Sequence, residues 1–122
     1  MAEADAAVRR VTVHVPVDHP AFAGHFPGRP LLPGVVLLGA VIEALRADAD
    51  AAAWLGAAPG VNAVKFTAPV GPGARLEIVW PWPVAGARLR FEVRRHAAGD
   101  PPEGVLAATG QLDGGPRPAA TP

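Results

Sequence analysis

Residues 8–17 read VRRVTVHVPV, with Val11, Val13, Val15 and Val17 alternating against Arg10, Thr12, His14 and Pro16. Period-two alternation of β-branched residues predicts a half-buried strand, with His14 solvated or paired across the sheet on its polar face. The pattern changes at residues 34–46, GVVLLGAVIEALR, where apolar side chains leave no polar stripe and Glu43 is the one charge before Arg46. Pro33-Gly34 opens this segment as a helix of three turns or more, expected to be wrapped on most sides. Residues 48–53 predict an alanine-rich, weakly helical exit, and Trp54 and Leu55 are expected to fold back as a hydrophobic plug before Pro59-Gly60. Strand patterns follow at 61–69, 74–82 and 87–96, with a weaker one at 104–112. Residues 70–73, VGPG, form a turn between the first two, and Pro81 and Pro83 belong at a strand end or edge.

Strand, loop, long helix and antiparallel meander describe an α+β domain with one helix lying on one curved sheet. Residues 8–112 carry this pattern. Residues 1–7 are expected to be flexible, and residues 113–122, ending GGPRPAATP, to form a disordered tail. No internal repeat is visible.

Composition narrows the function classes. A chain of 122 residues with 50% hydrophobic content can close one small core, and a partner subunit would add to it. Its formal net charge of zero supplies no field to recruit nucleic acid or an anionic membrane. The absence of cysteine excludes disulfides, thiolate nucleophiles and thiolate metal sites together. The polar start, MAEADAAVRR, has no apolar region of an export signal, and the run 31–42 is too short to span a bilayer. A soluble, cytoplasmic protein is expected, without nucleic-acid or membrane partners.

The most informative stretch is 19–45, HPAFAGHFPGRPLLPGVVLLGAVIEAL. Pro20, Pro27, Pro30 and Pro33 stiffen its first half, and His25 sits within that stiff loop just ahead of the apolar helix. A titratable imidazole on a proline-locked loop is a candidate catalytic group. His19, in Asp18-His19-Pro20, has no third metal ligand at recognisable spacing, so local hydrogen bonds that fix the loop are expected instead. His96 ends a strand among arginines and is expected to be exposed. Trp54, Trp80, Trp82, Phe22, Phe26, Phe66 and Phe91 are expected in the core.

Two segments carry a family likeness. GHFPGRPLLPGVVLL, residues 24–38, resembles the signature of the (3R)-hydroxyacyl-acyl carrier protein dehydratases, in which G-H-F-P-x-x-P-x-x-P-G-V precedes an apolar helix. VKFTAPVGPGARLEI, residues 64–78, resembles that family's strand–turn–strand K-F-x-x-P-V-x-P-G-x-x-L. The resemblance, over about residues 8–112, implies a hotdog fold that dimerises by joining two sheets edge to edge, with the active site at the dimer interface. It implies elimination of water from a 3-hydroxyacyl thioester, linked to acyl carrier protein or coenzyme A, with no metal, nucleotide or flavin. His25 then corresponds to the catalytic histidine, and Gly34 to the residue whose backbone N–H holds the thioester carbonyl. Val35 beside it, with Phe22 and Phe26 on either side of His25, would line the acyl site. Arg29, close to His25 in sequence, is a candidate contact for the acidic carrier that delivers the substrate on its phosphopantetheine arm. Arg88, Arg90 and Arg94 on one strand face, with Arg95 adjacent, are either docking contacts for an acidic carrier or a solvated outer face with Glu92 interleaved.

The chain departs from the family pattern fourteen residues after His25, where the second catalytic group, a carboxylate, should stand and Gly39 is found. Elimination needs a base at the carbon beside the thioester and an acid for the departing hydroxyl. Three solutions follow. Glu43, one turn or about 5.4 Å further along the same helix face, could lean back and supply the acid, in apolar surroundings that favour its protonated form; its alternative role is a charge paired with Arg46. A second hotdog subunit could supply the carboxylate in a heterodimer. Or the chain is a non-catalytic partner subunit. A hotdog acyl thioesterase, using a carboxylate and water, is the remaining enzymatic alternative.

Overall fold

The computed structural model describes residues 7–22 and 31–114. Its elements in chain order are β1 (Val8–His14), a short 3-10 turn (Pro20–Phe22), α1 (Gly34–Arg46), α2 (Ala49–Leu55), β2 (Gly60–Phe66), β3 (Arg75–Pro81), β4 (Arg88–His96) and β5 (Val105–Asp113). All five strands join one antiparallel sheet in the order β1-β3-β4-β5-β2. The expected meander holds for β3, β4 and β5. β2 departs from it, crossing to the far side to pair with β5, and the weakly patterned β5 is an interior strand of nine residues. Gly110 suits that interior position, because the Phe91 ring fills the space where a Cβ at 110 would stand, 2.6 Å from Phe91 Cζ.

The period-two pattern sends Leu76, Ile78 and Trp80 of β3 and Leu89, Phe91 and Val93 of β4 to one face, all buried. α1 lies over that face with Leu37, Val41, Ala44 and Leu45 turned inward. The helix is not wrapped on most sides as its composition predicts. Val35, 75% exposed, Gly39 and Glu43 form an open stripe at i, i+4 and i+8. One sheet has one inner face, so it can bury only the side of α1 that faces it, whatever the composition of the other side.

α2 closes the open end of this layer. Leu55 is fully buried and Trp54 packs partly against the core. Asp48 caps α2, accepting from the Ala51 N–H at 3.0 Å and from Arg9 Nη1 at 3.0 and 3.2 Å. Arg9 also reaches Asp50 at 2.9 Å and lies 5.0 Å from the Trp82 ring centre. β1, α2 and the end of β3 thus meet on one guanidinium.

His96 is not exposed. It is tucked under the β4–β5 turn, where Gly104, at φ +81°, would carry a Cβ 2.8 Å from His96 Cε1, and its Nε2 stands 3.5 Å from Glu77 Oε1. Arg10 donates to Glu77 at 2.8 Å and holds that carboxyl below the ordinary carboxylate range. Arg95 does the same for Asp100, with Nε and Nη2 on its two oxygens at 3.0 and 2.9 Å.

Two predictions follow from these ion pairs. Asp48→Ala should lower unfolding free energy by about 1–2 kcal/mol through loss of the cap, and Asp48→Asn, which still accepts from Ala51, by distinctly less; denaturant unfolding measures both. Glu77 and Asp100 bind protons less readily in the folded chain than in the unfolded one. Their contribution is therefore complete above the ordinary carboxylate range and is lost as pH falls through their depressed folded values. Thermal midpoints recorded against pH should drop on that acid limb, and Asp100→Asn should flatten it.

Candidate active site

α1 begins without a side-chain cap. Pro33 occupies the N-cap in extended conformation, and its carbonyl accepts from the Val36 and Leu37 amides, both at 3.0 Å. Among the described residues nothing accepts from the Gly34 or Val35 N–H, so two donors with the helix dipole behind them point out of the helix end. Beside them opens a cleft of about 390 Å³, whose lining includes Leu31, Leu32, Leu37, Phe66, Ala68 and Val70. Thr67, the hydroxyl-bearing residue of that lining, already donates to Leu106 O at 2.6 Å. The cleft therefore offers apolar wall and, at its edge, backbone N–H groups. This suits an acyl chain with a carbonyl oxygen at its head.

Gly34 has a close neighbour within the chain. A Cβ there would stand 2.8 Å from both Cε2 and Cζ of Phe66, so the missing side chain makes room for that ring. Phe66 is not core, as its type predicts, but 50% exposed. It ends β2, the outermost strand on that side, with no further strand among the described residues to cover it. The sequence places Phe66 in the core and gives it no part in the site; two residues, Ala63 and Val64, bulge opposite Gly110, Ala63 at φ 51°. The bulge shifts the alternation by one, so Val61 and Phe66 share the inner face although five residues apart.

The other candidates are placed as follows. Val35 adjoins Gly34 on the open stripe. Phe22 packs against the core from the 3-10 turn, edge-on to His19 with ring centres 6.0 Å apart. His19 accepts from the Ala21 N–H through Nδ1 at 3.0 Å, the local bond expected of it. Glu43 is exposed, so this chain does not itself provide the apolar surroundings expected around that carboxyl. Among the described residues, apart from its chain neighbours and the backbone of α1 itself, no atom lies within 4 Å of the place a Cβ on Gly39 would take, so Glu43 leaves that space open. Arg46 is not paired with Glu43 but donates to the carbonyls of Gly56 and Ala57 at 2.9 and 3.3 Å. His25, Phe26 and Arg29 lie outside the described residues.

The arginines of β4 divide. Arg88 and Arg94 stand on the outer face near Asp113 (3.1 Å) and Glu92 (3.7 Å), and Arg90 has no acidic partner among the described residues. Arg95 points the other way and bonds Pro69 O at 2.7 Å as well as Asp100. No described helix is long and apolar enough to cross a membrane.

Comparison with known proteins agrees with this geometry. The chain is 38% identical over 89 residues to the 3-hydroxyacyl-[acyl-carrier-protein] dehydratase FabZ of Myxococcus xanthus, covering 68% of this chain and 51% of the relative. It is 34% identical over 108 residues to the FabZ of Thermomicrobium roseum, covering 81% of this chain and 66% of the relative. The chain thus spans about half to two thirds of the length of these curated relatives. Among solved structures it superposes on the dehydratase heterocomplex ApeI:P from Xenorhabdus doucetiae with TM-score 0.65 and 24% identity, over 88% of this chain and 87% of that one. It superposes on an acyl-CoA hydrolase mutant from Staphylococcus aureus with TM-score 0.62 and 19% identity, over 89% and 63%. These two likenesses show the hotdog fold alone. Residues 2–102 match the ApeI-like family, described as ApeI dehydratase, and the chain belongs to that family.

Proposed function

We propose that this chain is a cytoplasmic hotdog lyase that eliminates water from 3-hydroxyacyl thioesters carried on acyl carrier protein or coenzyme A, giving the trans-2-enoyl thioester. The observation that carries the reading is the apolar cleft ending at the uncapped, glycine-led N-terminus of α1. The acyl chain lies along Leu32, Leu37 and Phe66, and the thioester oxygen accepts from the Gly34 N–H. His25 takes a proton from the carbon beside the carbonyl. The resulting enolate charge sits on the oxygen held by Gly34, where fixed dipoles stabilise it without reorganising. The C–O bond at the β-carbon then breaks, the double bond forms, and the hydroxyl leaves as water after receiving a proton from an acid.

Glu43 is the proposed acid within the chain, acting directly or through a water in the space beside Gly39. A second reading is favoured by that same open stripe: Val35, Gly39 and Glu43 are covered by nothing among the described residues. In that reading a second hotdog subunit, joined at the free edge of β2, brings a carboxylate to Gly39 and completes the site. A homodimer serves the first reading, a heterodimer the second.

Incubating the purified chain with a 3-hydroxyacyl thioester while following enoyl absorbance and free thiol tests both readings. Enoyl product without thiol is expected, and His25→Ala should reduce its rate by about 10²–10⁴-fold. Glu43→Gln should slow the wild-type chain if Glu43 is the acid, and an unchanged rate in a folded variant removes it from that role. Enoyl formation only after a second hotdog subunit is added establishes the heterodimer, and thiol release in place of enoyl establishes a thioesterase. Changing Arg88 and Arg90 to Glu should weaken turnover of a carrier-protein substrate by about tenfold and spare a small thioester; equal loss on both removes docking from the outer face.

A further inference from the structure

Residues 66–70 supply half the wall of the cleft at the head of α1, namely Phe66, Thr67, Ala68, Pro69 and Val70. Beyond Phe66 this segment has left the sheet, and its backbone is held by few bonds. Near β2 the Thr67 and Ala68 amides both reach Ala107 O, at 2.8 and 3.4 Å. At the far end Val70 O accepts from the Leu32 N–H at 2.8 Å, and Pro69, which has no N–H to offer, accepts from Arg95 Nη1 at 2.7 Å. Leu32 lies two residues before Gly34. A hydrogen-bonded path therefore runs from Asp100 through Arg95 to 69–70, and on to the chain entering α1.

Arg95 is built for this task. Among the β4 arginines it alone falls on the side of Leu89, Phe91 and Val93 in the alternation, and it is opposite buried Leu76. Its side chain is 19% exposed and that of Asp100 10%. The planar fork spends Nε and Nη2 on Asp100 and has Nη1 left for the Pro69 carbonyl, a geometry that a lysine ammonium cannot reproduce.

We propose that Arg95 is a positioning residue: anchored on Asp100, it holds segment 66–70 against the head of α1 and so sets the acyl-binding wall. Its effect on turnover rests on the dehydratase reading above, whereas the mechanical link does not.

Two measurements on the full chain separate these. In the first, amide hydrogen exchange at Leu32 is compared in wild type and Arg95→Met under conditions of equal global stability. Exchange about tenfold faster in the variant, the scale of one lost charged hydrogen bond, is expected, and unchanged exchange overturns the proposal. In the second, KM and kcat are measured with N-acetylcysteamine thioesters of 3-hydroxyoctanoate and 3-hydroxybutanoate. A loosened wall should raise KM for the longer substrate about tenfold, leave kcat within about twofold and spare the shorter one. Loss of kcat in proportion to loss of folded protein, with KM unmoved, also overturns the proposal, because it marks a merely structural role. Arg95→Lys should behave like Arg95→Met; wild-type behaviour would show that charge alone suffices and defeat the fork argument. If Arg95→Met does not fold, Asp100→Asn, which keeps the volume and weakens the anchor, is read by the same two criteria. A wild-type chain silent toward both thioesters, alone and with a second hotdog subunit added, removes the dehydratase reading and leaves the exchange measurement to decide the link.

Discussion

The structure depends on one constraint: a single sheet buries one side of a single helix. Leu37, Val41, Ala44 and Leu45 meet the inner face formed by β3, β4 and β5, and that contact fixes the rotation of α1 about its axis. With the rotation set, Val35, Gly39 and Glu43 must face outward, since they lie on the opposite side of a helix with 3.6 residues per turn. A stripe that begins with an exposed valine and passes through a glycine does little for a surface helix. Gly costs about 1 kcal/mol relative to Ala in a helix interior, and nothing among the described residues approaches closely enough at Gly39 to require it. The two-sided apolar content of α1 makes sense if a second surface meets the open stripe.

The same rotation, together with Pro33, determines what the head of α1 can do. Proline there supplies no side-chain acceptor, so among the described residues the first helical amides stay available. Gly34 lets the Phe66 ring lie flush against the backbone at that point. An aromatic wall and a pair of oriented donors thus adjoin without a polar side chain between them. That pairing suits a ligand with an apolar chain and one carbonyl, and it suits poorly a ligand that must be recognised at many polar points.

Among the described residues, charge is kept away from this cleft. On the outer face Arg10, Arg75, Arg88, Arg90 and Arg94 are interleaved with Glu77, Glu92 and Asp113, and several of them are paired. Arg95 alone of the β4 arginines points the other way, and its charge is met by Asp100 before it reaches the segment that lines the cleft. A guanidinium left unpaired so near an apolar wall would cost far more than its hydrogen bond to Pro69 returns.

Much of this was readable in the residue order. α1 is bounded at 34 and 46 as its apolar run and Pro33-Gly34 predict, and the strands lie within a residue or two of their alternating patterns, except that β1 and β2 end three residues early. Local propensity and periodicity are properties of adjacent residues, so sequence alone carries them. Arg95, too, stood on the apolar side of its alternation, a signal that could have separated it from its neighbours. What the order of residues could not carry was long-range pairing. The crossing of β2 to β5 and the bulge at Ala63 and Val64 that turns Phe66 inward both arise from contacts between segments far apart in the chain. The exposure of one side of α1 belongs with them. Composition states how much apolar surface a helix has, and only the number of surfaces that reach it decides how much of that is buried.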